Sequence, residues 1–526
     1  MLLPLDHRIE KALSAPHWKA VGIKHHHGVC IPLFALCSKK SCGIGEFPDL
    51  IPMINWSARL GLDTIQLLPL NDTGMGISPY SAMSAFALNP LHLGLTSLDQ
   101  VKDNPLLRKL KRLGNTRHID YSQVMLLKER FLRLYFKEMF PILSLKKPYR
   151  HFLEEHSWLK GYAIFKSIKE KLGGRSWRQW PKQYKNREAI DAQLFKHELD
   201  YHQFVQYLCF RQWVLVKKKA EDKGVFLKGD IPILISTDSA DVWQHRDLFY
   251  SDLTSGAPPD RYIPRGQNWQ FPIYRWQDRF DDVLEWWLQR LDVASKLYHI
   301  YRLDHVQGLF RIWSIPKGKK AAEGKFTPGL KRKWLAQGNH ILEELLNNCR
   351  MLPIGEDLGT VPKEVRESLL RLGIPGTKVI RWERDPEIGG PYIPLENYPP
   401  ASMTTVSTHD TETLQQWWSK RPDESRPFAT EMDLTYRKEM TAEQRKAILR
   451  ASHRSESYFH INLLQEYFPL IPLFTWDRAD DERINRPGRN VWKNWRYRYR
   501  PRVEEIISNP LLRETIRSIV ERSTGT

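Results

Sequence analysis

Short apolar runs alternate along this chain with segments of helical periodicity. Eight runs rich in Val, Ile, Leu, Met or Thr read as strands, at about 28–36, 63–70, 225–233, 300–306, 351–357, 376–383, 402–410 and 458–466. Most are followed by a Pro/Gly/Asn/Asp loop and then by apolar residues at helical spacing, as in 49–60 and 282–298. Strands alternating with helices predict an α/β protein with a parallel sheet. Eight such units predict a closed (β/α)8 TIM barrel, with the whole of 1–526 as one barrel domain. The interval between the second and third runs is too long for one unit. Its part at about 91–215, rich in Lys, Glu and aromatic residues, predicts an inserted helical subdomain. The segment 236–280 is dense in Pro, Gly and Trp and predicts an ordered insertion covering the open end of the barrel.

Three of the runs stop at a carboxylate: IYRLDH brings Asp304, MLPIGED brings Glu356, and MTTVSTHD brings Asp410. In a barrel the C-terminal ends of all strands face one pocket. The three acids are separated by about 52 and 54 residues, against about 31 for a plain strand-helix unit, so each gap holds one unit with a long loop or two compact units. Two carboxyl groups in such a pocket can break a glycosidic bond, one as nucleophile and the other as general acid and base.

The flanking residues fit that chemistry. Period-2 alternation puts Arg302 on the same side as Asp304, where a guanidinium keeps a carboxylate ionised. Glu356 and Asp357 are adjacent acids in an apolar frame, which raises the pKa of one of them, as a general acid needs. They point opposite ways on a strand, so one faces the pocket while the other pairs elsewhere. His409 and Asp410 together can hold adjacent sugar hydroxyls. A Ser/His/Asp triad would use the same pair, but no GxSxG elbow is present to serve it.

Composition narrows the classes. The net charge of +19 is spread along the chain without a basic stripe or a nucleic-acid motif, and reads as a solvated basic surface. No run approaches about 18 apolar residues, so no membrane span is expected. The N-terminus meets Asp6, His7 and Glu10 too early for a secretory signal. Five cysteines, odd in number, predict a reducing cytoplasm rather than a disulfide framework. Cys37 and Cys42 have zinc-like spacing near His25–His27, but without a second such pair the residues read as core, and no metal is expected. Nineteen tryptophans, several beside polar residues, suit stacking on sugar faces, nucleobases or half-buried packing.

The chain resembles the 4-α-glucanotransferase family, also called amylomaltase or disproportionating enzyme, within the α-amylase clan. The resemblance is carried by GIGEFPDL (43–50), LLPLNDTGMGISPYSAMSAFALNP (67–90), GDIPI and DSADVW (229–243), GAPPDRYIPRGQNW (256–269), YRLDHVQG (301–308), GEDLG (355–359), STHDTETLQQWW (407–418) and RINRPGRNVWKNWRYR (483–498). It implies Asp304 as nucleophile, Glu356 as general acid/base and Asp410 as transition-state stabiliser. It also implies Tyr80, Arg302, His409, Ser78, Asp357, Gln267, Trp269, Pro258 and Asp260 as substrate-binding residues. The implied substrates are malto-oligosaccharides or glycogen-derived glucans, without a cofactor and with neither nucleic acid nor membrane as partner. The family passes a glucan held on the nucleophile to the 4-hydroxyl of another glucan. Three departures bear on substrate preference: NWQFP brings Gln270 and Phe271 where the family has NWG and a small or polar residue, RPGR replaces the usual PGT, and the sixth strand, KVIRWERD, carries more charge than most members and resembles the branch acting on maltose and branched heteroglycans. The rival readings are an α-glucoside hydrolase with the same carboxylates, a non-catalytic glycan-binding protein, and a nucleic-acid-binding protein resting on charge and tryptophan alone.

Overall fold

The computed structural model describes residues 7–101, 104–259, 263–385, 392–489 and 491–521. Its centre is eight parallel strands: β1 (His26–Cys30), β2 (Thr64–Gln66), β3 (Phe226–Pro232), β4 (Ile300–Asp304), β5 (Leu352–Gly355), β6 (Gly376–Val379), β7 (Ser402–Thr405) and β8 (Phe459–Leu463). They are hydrogen-bonded in the order β6-β7-β8-β1-β2-β3-β4-β5. The ring is completed between β5 and β6: the Gly355 N–H donates to Pro375 O at 2.8 Å, and the Thr377 N–H donates to Asp357 Oδ1 at 2.7 Å. This is the expected (β/α)8 barrel, with a strand at each of the eight apolar runs.

The strands are shorter than the apolar runs. After Cys30 the chain turns through a 3₁₀ segment, Leu33–Ala35, and after Thr405 it leaves the ladder five residues before Asp410. The remaining apolar residues of these runs line the rim as buried loop, which hydropathy does not separate from strand. Helices cover the outside. Phe280–Ser295 buries Val283, Trp286, Trp287 and Leu291 against the barrel. Gly229 shows how tight this layer is: a Cβ there would lie 2.4 Å from the Tyr298 ring.

Between β2 and β3 lie the helices Tyr121–Leu143, Lys147–Glu155 and Trp158–Lys171. The 27-residue helix Lys196–Asp222 that follows runs straight through the expected boundary at 215 and delivers the chain to β3. Its Trp213 Nε1 donates to Leu297 O at 2.9 Å, and a buried Lys128–Glu46 pair at 2.6 Å ties Tyr121–Leu143 to the barrel. The segment 236–280 does not stand alone. Leu253–Ala257 and Gln267–Asn268 form one antiparallel sheet with Ile312–Pro316 and Lys325–Thr327, so the excursions after β3 and β4 build it jointly. Among the described residues no helix is long and apolar enough to cross a membrane.

Candidate active site

The register of β3 and β4 places Asp230 opposite Arg302 and Pro232 opposite Asp304. Arg302 and Asp304 share one side of their strand, as the alternation requires. Arg302 Nη1 donates to Asp230 Oδ1 and Oδ2 at 2.8 and 2.9 Å and pairs with Asp304 Oδ1 at 2.6 Å. Its Nη2 lies 3.8 Å from Glu356 Oε2. One guanidinium thus touches three carboxylates. Burial alone would lower the pKa of Arg302, but Asp230 and Asp304 drive it well above the usual value.

Glu356 follows β5 directly. The backbone N–H groups of His305 and Leu358 donate to its Oε2 and Oε1 at 2.9 and 3.0 Å. Burial pushes its carboxyl up to about 7 against the pull of Arg302, and Asp304 adds to the rise. His305 has φ 51°, and its ring packs nearly perpendicular to that of Trp269 with centroids 5.1 Å apart. Asp357 points the other way: it is 3% exposed and holds the Thr377 N–H and Arg366 Nε, the latter at 3.1 Å. It works as the clasp between β5 and β6, outside the pocket.

Asp410 sits on the turn after β7 rather than at the strand end. Asn485 Nδ2 donates to its Oδ1 at 2.7 Å, and His409 Nε2 lies 3.4 Å from its Oδ2. Burial would raise this carboxyl, but His409 and Asn485 hold it at about 2. Burial likewise depresses His409 and Asp410 overcomes it, so the imidazole pKa is raised. The Tyr80 hydroxyl donates to Asp230 Oδ2 at 2.7 Å, which leaves its oxygen to accept from His409 Nε2 at 2.8 Å. The Tyr80 and His409 rings stack at 5.3 Å, and Trp495 packs 5.6 Å from Tyr80. Tyr80, Asp230, Arg302, Asp304, Glu356, His409 and Asp410 are therefore one connected array.

The other expected residues fall at varying places. Ser78 belongs to the loop that carries Tyr80, with the Ser81 N–H donating to its carbonyl at 3.1 Å. Trp269 Nε1 donates to Gln267 Oε1 at 3.3 Å, in the loop that brings Trp269 to His305. Pro258 follows the strand Leu253–Ala257 and is half-buried; Asp260 lies outside the described residues. Gln270 has φ 63°, a left-handed conformation that favours the glycine of NWG over glutamine.

Asp230 and Asn485 were not named as site residues beforehand, and Trp495 was noted only as one of the tryptophans beside polar residues. Asp230 carried the same signal as Asp304, a carboxylate inside an apolar run. Asn485 lies in the 483–498 segment that carries the resemblance, but no local pattern links it to Asp410, which it reaches across 75 positions of sequence. Cys30, Cys37 and Cys42 are buried, and burial pushes the Cys30 thiol up to about 12. Glu170, Glu198 and His202 converge in the helical insertion, but the Arg133 guanidinium bonds both carboxylates.

The 4-alpha-glucanotransferase family model matches residues 31–504. A 4-alpha-glucanotransferase of Chlamydia caviae is 44% identical over 523 residues, 98% of each chain. One of Thermus thermophilus is 30% identical over 461 residues, covering 83% of this chain and 87% of its own. Among solved structures, the amylomaltase from Streptococcus agalactiae in complex with acarbose aligns with a TM-score of 0.81 at 25% identity, covering 94% of this chain and 98% of that one.

Proposed function

This chain belongs to the 4-alpha-glucanotransferase family, a group of transferases acting on α-1,4-glucans, and from that premise we propose how its residues divide the reaction. Asp304 attacks the anomeric carbon of a malto-oligosaccharide, while Glu356 gives its proton to the departing glycosidic oxygen. The shortened glucan leaves, and the rest stays as an ester of Asp304. Glu356, now a carboxylate, takes the proton of an incoming 4-hydroxyl, whose oxygen displaces Asp304 from the anomeric carbon. The configuration is retained because inversion occurs twice.

The observation that carries this reading is the Arg302 guanidinium shared by Asp230, Asp304 and Glu356. It pairs with Asp304 at 2.6 Å and reaches Glu356 at 3.8 Å, which keeps the two reacting carboxyl groups on one side of the pocket. The raised pKa of Glu356, about 7, suits a group that must deliver and then recover a proton near neutrality. Asp410, held ionised, and His409 supply hydrogen bonds to sugar hydroxyls that strengthen as the ring approaches an oxocarbenium ion. Tyr80 offers a ring face beside them, and Trp269 screens the Glu356 side. The substrates are malto-oligosaccharides, including those released from glycogen. Five buried free cysteines support a reducing, cytoplasmic setting.

The test is a product profile from maltotriose alone with reducing ends counted. A ladder of longer glucans plus glucose at constant reducing ends supports transfer. Rising reducing ends without longer products would make the protein a hydrolase.

A further inference from the structure

A lysine lies under the catalytic array. Lys228 is two residues before Asp230 on β3, with its side chain on the same inward face, and is 0% exposed. It crosses the bore of the barrel: Nζ donates to Gln66 Oε1 on β2 at 2.8 Å and faces Met403 Sδ on β7 at 2.8 Å. Gln66 is its partner in the ladder, and Cys30 is the partner of Gln66. Among the described residues no carboxylate lies within ion-pair distance of Nζ. The ionisable groups that act on it are Arg302, Asp230 and Cys30, and Cys30 remains a thiol.

Such a residue is a poor structural element. An ammonium in an apolar bore, held by one amide oxygen and one sulfur, is destabilising beside a methionine of similar length. A compensating use is expected where a buried charge has no ion-pair partner. The groups directly above it are short of positive charge. Asp230 and Asp304 share Arg302, so with Glu356 protonated this set carries one net negative charge. Asp230 is also faced by Tyr80, His409, Arg290 and Tyr298.

We propose that Lys228 is a positioning residue for the transfer reaction. It is a fixed positive charge in the barrel floor that keeps Asp230 ionised, so that Asp230 holds Arg302 and Tyr80 while Arg302 serves Asp304. This inference rests on the roles given to Asp304 and Arg302 above. Burial raises the pKa of Asp230, and Asp304 adds to that rise against the pull of Arg302, so withdrawing a nearby positive charge favours its protonated form. Burial, with Arg302, pushes the lysine itself down to about 7. Its charge is therefore present on the acid side of neutrality, where Asp230 needs it, and fades on the alkaline side.

Lys228→Met tests this, because the side chain keeps its length and loses its charge. The readouts are pH profiles of kcat and KM on maltotriose, with Tm measured alongside. In the variant the acid limb should move up by about one pH unit, and kcat at the acid side should fall about tenfold, from Coulomb interaction across one strand step. KM should change little, the alkaline limb should stay, and Tm should not fall. Lys228→Gln should shift the acid limb in the same direction, and Lys228→Arg, which keeps the charge, should leave it near the wild-type position. These two also decide the matter if the methionine variant does not fold. A neutral variant whose acid limb coincides with that of the wild type overturns the proposal. A wild-type enzyme that forms no transfer ladder would instead sink the functional reading, so the two failures are distinct.

Discussion

Replacing Asp230 by asparagine keeps the shape of the side chain and removes one charge from the array. In the wild type, Arg302 Nη1 is divided between Asp230 at 2.8 and 2.9 Å and Asp304 at 2.6 Å, and the Tyr80 hydroxyl donates to Asp230. In the variant Arg302 collapses onto Asp304, and the tighter pairing blunts the nucleophile. Hydrogen bonds to charged groups contribute about 1.5–3 kcal/mol each. Losing the charge on one side of Arg302, with partial compensation by the amide, should raise the barrier by about 2–3 kcal/mol, a loss in kcat of about 30- to 150-fold. KM for maltotriose should stay within about threefold, because Asp230 touches the machinery rather than the sugar. Stability should move the other way. The Asp230 carboxyl has a folded-state pKa raised by burial, so the folded state holds its proton above the unfolded value near 3.9 and loses stability as pH rises through that window. Tm of the variant should therefore gain on the wild type as pH rises above about 4. Initial rates with maltotriose and thermal melts across pH check both statements. A folded Asp230→Asn enzyme with kcat within about threefold of wild type would refute the claim that Asp230 partitions Arg302.

Asp304→Asn should abolish turnover with a wild-type Tm, and appreciable residual transfer would remove Asp304 from the nucleophile role. Glu356→Gln should lower kcat for maltotriose by about 10²- to 10⁴-fold, while a glucosyl donor whose leaving group needs no proton restores the first half-reaction; a folded variant without that rescue would count against Glu356 as the acid. In the wild type, activity should decline as pH rises through about 7, because Glu356 then loses the proton it must deliver. At the base of the barrel His25 pairs with His460 and His27 with His453, each at 3.0 Å, and burial holds the pKa of His453 and His460 well below the usual value. Their contribution to stability is complete above about pH 6.5 and is lost as pH falls, because the unfolded chain binds the protons that these rings refuse. Glu46, Asp241 and Glu482, raised to about 7 by burial, slope the opposite way, so the measurement is a difference. The Tm gap between wild type and His460→Gln should narrow as pH falls from 7.5 to 5.5, on the scale of about 1 unit of histidine titration; a constant gap would show that His460 does not titrate with unfolding.

All eight barrel strands and the three principal carboxylates were legible in the sequence, because both depend on local signals. A parallel strand buried on both faces must be a short apolar run, and a carboxylate inside one is conspicuous. The same alternation put Arg302 beside Asp304 and parted Glu356 from Asp357. It could not say which of the two acids faced the pocket. That depended on β6 presenting the Thr377 N–H to the far side of β5, where Asp357 became the clasp of the ring. Nor did local pattern distinguish strand from buried rim, which is why the turn holding Asp410 was read as strand. The joint sheet of Leu253–Ala257 and Ile312–Pro316 arises from two loops separated in sequence, each unremarkable alone. Asn485 on Asp410, the register of Asp230 with Arg302, and Lys228 spanning the bore to Met403 are contacts across the barrel. Hydrophobic periodicity along the chain determined the elements and the residues that end them. Strand register and barrel closure, which act between segments tens to hundreds of residues apart, decided which charges share a guanidinium and what lies beneath them.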